Sequence, residues 1–239
     1  KAIELLRTFT EDEFRKFGIF LRSPFFNKEN IQVRFYEKIK KYYPDFDNRK
    51  FEKETLYLKL YPGKKYNDGV MRNTLSGMLK LAEQFLVICH QQKNDFHYTL
   101  TLMQELGERK MEKLFEKTEA KAAAMLESEI ARNEQYYYDT FLLFNEKRMN
   151  ESRKKSTLYI SEEFLTDIIN NLTISFIINI LKYHTYLANS NLKMFKFDYD
   201  TGIMNELESY LEKEAERFKD VTYIQFYYNS IKLAKTEDE

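Results

Sequence analysis

The stretch NDGVMRNTLSGMLKLAEQFLVIC, residues 67–89, decides the fold. Its apolar positions Met71, Leu75, Met78, Leu79, Leu81, Ala82, Phe85, Leu86 and Cys89 recur with a period near 3.6. That spacing places them on one face of a helix of about six turns. Asn67 or Asp68 stands at its head, where a short side-chain oxygen can accept from an amide left without a partner in the first turn. Immediately upstream, Tyr61-Pro62-Gly63-Lys64-Lys65-Tyr66 reads as a turn punctuated by Pro-Gly.

Toward the N-terminus the same pattern recurs in shorter pieces. Thr10-Glu11-Asp12-Glu13 is a capping box, in which hydroxyl and carboxylate each reach the other residue's amide. Phe14, Phe17, Phe20 and Leu21 follow on one helical face, and Ser23-Pro24 ends that helix because a residue before proline is pushed out of the α region. Asn27 is expected to cap a second helix carrying Ile31, Phe35 and Ile39, ended by Tyr43-Pro44. A short third helix is expected over 52–60.

Toward the C-terminus, helices are predicted over 96–106, closed by Gly107, then over 108–128 and 133–152. Residues 151–157 are the best linker. A long helix over 161–188 is expected to break at Asn189-Ser190-Asn191, with two more over 201–218 and 221–235. Segment 172–181 is β-branched and apolar nearly all round; with helical flanks and no partner strand, it is expected to be a fully buried helix.

The fold class that results is all-α, with nine to ten helices. An N-terminal helical bundle over 1–92 is followed over 93–239 by antiparallel helical hairpins, TPR-like or α-solenoid-like in architecture. The tetratricopeptide repeat pattern itself cannot be threaded through the chain.

Ser23-Pro24-Phe25-Phe26-Asn27-Lys28, Leu60-Tyr61-Pro62-Gly63-Lys64-Lys65-Tyr66-Asn67-Asp68 and Met71-Arg72-Asn73 resemble recurring words of an uncharacterised family of bacterial all-helical, TPR-like proteins. The resemblance is best in the N-terminal third. It implies a bacterial, cytoplasmic protein and no particular activity.

Composition narrows the function. Thirty-eight basic residues balance 38 acidic ones, so no global field draws nucleic acid or an acidic membrane. A single cysteine, Cys89, excludes an internal disulfide and fits a reducing compartment. The most apolar stretch, 164–181, is interrupted by Asp167, Asn170 and Asn171, so no membrane span is expected.

No catalytic, metal or cofactor site is expected. His90, His97 and His184 lack partners at metal-ligand spacing, and Cys89 and His90 are helix neighbours pointing apart. Pro62-Gly63-Lys64-Lys65 lacks the upstream glycine and following hydroxyl of a phosphate loop.

The expected function is therefore a non-enzymatic scaffold or adaptor, with another protein or a second copy of the chain as partner. Tyr136, Tyr137, Tyr227 and Tyr228 are its candidate groove, because these tyrosine runs place aromatics on more than one helix face. Lys64 and Lys65, in the 62–66 turn, are a second candidate contact. The alternative is a DNA-binding regulator with a helix-turn-helix near residues 54–86, reading through Lys65, Arg72 and Asn73. Residues 28–65 carry eleven Lys/Arg against six Asp/Glu. Against it stand Asp68 at the head of the recognition helix and the absence of a hairpin wing. An enzyme ranks third.

Overall fold

The structure, a computed structural model, describes residues 1–46, 52–154, 162–193 and 202–237. Their regular structure is helical, with no strand among the described residues. The helices are α1 (Ala2–Arg7), α2 (Glu11–Arg22), α3 (Asn30–Ile39), α4 (Lys53–Leu60), α5 (Asp68–Lys93), α6 (Asp95–Glu108), α7 (Glu112–Glu127), α8 (Glu134–Lys154), α9 (Glu162–Lys193), α10 (Met204–Lys213), α11 (Ala215–Phe218) and α12 (Thr222–Glu237). The chain divides into two compact units, Lys1–Asn94 and Asp95–Glu239.

In the first unit α5 is the spine, and α1, α2 and α3 pack on it. Met71, Met78, Leu81, Ala82 and Phe85 are buried, with Leu75, Leu86 and Cys89 at the margin of the same cluster. The Asn67 side chain accepts from the Val70 amide at 3.1 Å, which starts the helix. The capping box of α2 forms: Thr10 Oγ1 accepts from the Glu13 amide at 3.2 Å, and the Thr10 amide donates to Glu13 Oε2 at 2.9 Å. Phe14, Phe17, Phe20 and Leu21 enter a ring-rich core with Phe9, Phe35 and Phe85. Some of its rings meet edge-on or tilted, as at Phe9–Phe17 (5.5 Å, 80°) and Phe17–Phe85 (5.4 Å, 54°), and others stack, as at Phe14–Tyr43 (4.3 Å, 15°).

Two N-terminal expectations change. Asn27 does not cap α3, which starts behind Glu29 without a side-chain cap. Instead its side-chain Nδ2 donates to the Leu21 carbonyl at 2.8 Å and its Oδ1 accepts from the Glu29 amide at 3.0 Å, so it clamps the turn leaving α2. Helix α1, with Ala2 and Leu6 buried, goes unread in the sequence because six residues are too few to display a period.

In the second unit α6, α7 and α8 pack together around Phe96, Leu100, Met103, Phe115, Ala122 and Leu143. Gly107 does not close α6: it lies inside the helix, packed near Asn150 of α8. The stop is Lys110, at φ 56°. The Met111 amide bonds the Leu106 carbonyl (2.9 Å) and the Lys110 amide bonds the Gly107 carbonyl (3.1 Å), a Schellman ending. Helix α7 accordingly starts at Glu112.

The first four residues of the expected linker are the last turn of α8; its remainder, 155–157, lies outside the described residues. Likewise α9 runs on to Lys193 through Asn189-Ser190-Asn191. Such residues each cost well under ~1 kcal/mol in a helix, too little to stop one that packs along its length. The helix expected over 201–218 is two, α10 and α11, parted at Glu214 (φ −101°, ψ 25°); Thr201 and Ser161 lie outside the described residues.

Candidate partner-docking surface

Helix α9 lies between α8 and α12. Ile177, Ile178 and Leu181 turn inward and join Met204, Leu207, Leu211, Phe218, Val221, Ile224 and Ile231 in one apolar cluster. The seam with α8 is pinned by polar bonds. Ser175 Oγ donates to the Glu134 carbonyl at 2.9 Å, and Lys182 Nζ donates to Glu134 Oε1 at 2.5 Å. Burial pushes the Glu134 carboxyl up, but the Lys182 ammonium and the residue's own amide outweigh it and hold the group below the usual glutamate range. The same hydrogen bond raises Lys182.

The opposite face of α9 faces water, which corrects the expectation of a fully buried helix. Leu165, Ile169 (60% exposed), Leu172, Phe176 (48%), Tyr183 (60%) and Tyr186 follow one another along it. The cause is geometric: neighbours on two sides of a helix cover two faces, and the apolar residues of α9 occupy all of them. Residues 164–187 are long and apolar enough to cross a bilayer by length and composition alone. On α12, Phe226 and Leu233 are also exposed, seven residues apart and so on one face.

The four tyrosines expected to form a groove part company. Tyr137 and Tyr227 are half-buried and both pack on the cluster beneath α9. Tyr227 also senses Lys182 and Tyr186, and burial raises its hydroxyl's pKa. Tyr228 is not on a surface: it is 8% exposed, its hydroxyl donates to Glu212 Oε1 at 3.2 Å, and the Lys232 ammonium sits 4.2 Å from its ring centre. Tyr136 stands edge-on to Tyr137 at 5.1 Å but lines a separate cavity of about 300 Å³ with Phe96, Met125, Glu129 and Asp139. Asp139, its pKa raised by burial, accepts there from Gln135 Nε2 at 2.8 Å, 3.7 Å from His97 Nε2. Adjacent residues of a helix point about 100° apart, so Tyr137 turns to the cluster and Tyr136 to the cavity, while Tyr228 enters the cluster and Tyr227 packs at its margin.

Lys64 and Lys65 are exposed on the turn of the first unit, whose Gly63 has φ 77°. Lys64 Nζ lies 6.0 Å from the Tyr61 ring centre. Asn73 is exposed, but Arg72 is engaged: its Nε lies 2.9 Å from Asp68 Oδ2, on the carboxylate that accepts from the Tyr66 hydroxyl at 3.0 Å. Helix α4, the first helix of the expected helix-turn-helix, packs on α3.

Chemistry elsewhere is sparse. Burial, then the Glu13 carboxylate, raise the Cys89 thiol, which keeps it protonated and poorly nucleophilic. Among the described residues no group of three His, Cys, Asp or Glu side chains could hold a metal ion. What sequence reasoning missed is the α9 stripe, whose signal was an apolar sequence with more faces than neighbours to cover them. No protein-family model, curated protein or solved structure matches the chain.

Proposed function

We propose that the chain is a non-enzymatic interaction module, a scaffold or adaptor of the bacterial cytoplasm. Its second unit is built of TPR-like antiparallel hairpins and binds another protein across the outward face of α9 and the adjoining α12. The observation that carries this is the row of large apolar side chains in water along α9. Such area favours burial by about 25 cal/mol per Å², and contiguous apolar patches mark interaction surfaces. Tyr183 and Tyr186 suit a surface wet in one state and covered in another, since each joins an apolar body to a polar tip. Asp167 and Lys182, with the packing of α9 between α8 and α12, weigh against use of the helix as a membrane span.

Protein is favoured over nucleic acid because Arg72 already serves Asp68, which itself would face phosphate. The test is capture with the tagged full-length protein, with and without nuclease, comparing wild type with Ile169→Glu/Tyr183→Glu and with Lys65→Ala/Arg72→Ala. A discrete protein that survives nuclease, is lost with the α9 variant and is kept by the turn variant supports the proposal. Capture that depends on nucleic acid and on Lys65 and Arg72 overturns it.

A further inference from the structure

We infer that the outward stripe of α9 is a coiled-coil seam, occupied by α9 of a second copy of this chain lying antiparallel. This rests on the docking function proposed for α9 and names the partner. The stripe positions Leu165, Ile169, Leu172, Phe176, Asn179, Tyr183 and Tyr186 are spaced alternately by four and three residues over three heptads. A band this narrow, with a period of 3.5, is what a single facing helix covers; burial against a globular core produces a broader stripe.

The order of sizes along the stripe selects the partner and its direction. Its first half is aliphatic (Leu165, Ile169, Leu172) and its second half largely aromatic (Phe176, Tyr183, Tyr186). In an antiparallel copy each layer joins one of the two alternating classes of position to the other, which sets Ile169 against Tyr186, Leu172 against Tyr183 and Phe176 against Asn179. Each of the first two layers pairs a smaller with a larger side chain, which keeps the distance between helices even. A parallel copy stacks tyrosine on tyrosine at one end and leucine on leucine at the other. The Asn179 side chain already donates to the Ser175 carbonyl at 3.0 Å, so that amide is satisfied beside Phe176.

Charge points the same way. Apart from Lys182, which serves Glu134 in the α8 seam, the Asp, Glu and Lys residues of α9 lie toward its ends: Glu162, Glu163 and Asp167 in the first six positions and Lys193 at the last. Antiparallel pairing brings unlike ends together and parallel pairing like ends. The helix macrodipole favours the same polarity within one chain, whereas the order of sizes has no such single-chain cause.

Sedimentation equilibrium of the purified full chain tests this. The mass is expected to rise with concentration from 29.0 kDa toward twice that value. Ile169→Glu and Phe176→Glu, at exposed positions, are expected to stay at the single mass with an unchanged circular dichroism spectrum. For direction, Ile169→Cys and Tyr186→Cys are made separately in a Cys89→Ser background. Under mild oxidation they are expected to cross-link when mixed and not when alone. A single mass at every concentration, association untouched by Ile169→Glu, or cross-linking of either cysteine variant alone overturns the inference. A monomer that captures a different protein through the stripe overturns it and leaves the docking function standing; a monomer that captures nothing removes both.

Discussion

Lys110 carries a side chain at φ 56°, where the Cβ of an L-residue crowds the following carbonyl and glycine does not. Lys110→Gly is expected to stabilise the protein by about 0.5–1 kcal/mol, read as a higher midpoint in thermal unfolding. The opposite holds at Gly18, where a Cβ would lie 2.6 Å from the Tyr36 ring, itself tied to the Phe14 carbonyl at 3.0 Å. Gly18→Ala is expected to cost about 1–3 kcal/mol in urea unfolding. Neither position could be read from the sequence. Gly107 looked like the helix stop because glycine is the commonest residue in that conformation, yet here it serves close packing while a lysine takes the turn. Capping was more legible: Thr10 with Glu13 and Asn67 act through local geometry that a few residues specify.

At the scale of the element, the helices were legible where one face was apolar. Phe14, Phe17, Phe20 and Leu21, like the Met71–Phe85 row, lie buried at the spacing that marked them. Helix α9 defeats this logic because its sequence is apolar on all sides, so the period cannot say which face has neighbours. Tyr227 and Tyr228 show the same limit, since only the packing of α12 on α9 sends the second of them inward. The α8–α9 seam gives a pH prediction. Glu134 titrates below its ordinary value of 4.5 in the folded chain, so its stabilisation is present above that value and lost as pH falls through the folded one. The pair is about a fifth exposed (24% and 18%), so screening limits its worth to about 1 kcal/mol. Glu134→Gln is expected to lose that amount near pH 7, and the difference from wild type is expected to vanish below the folded value in denaturant unfolding followed against pH.

For the molecule as a whole, the helical period was enough to read the all-helical class. The candidate site was not, because it depends on which helix faces remain uncovered after folding, a property of the assembled unit and not of any segment. The function follows from that remainder. The row from Leu165 to Tyr186 stays in water, and the function proposed above assigns it to a protein partner. Hydroxyl-radical footprinting with mass spectrometry tests this directly, on the dilute monomer and on the protein bound to its partner or to a second copy. The account predicts strong oxidation of Phe176, Tyr183 and Tyr186 in the monomer and loss of that reactivity in the complex. Buried Phe35 stays protected in both. Stripe residues already protected in the dilute monomer, or equally reactive with and without the partner, would contradict it.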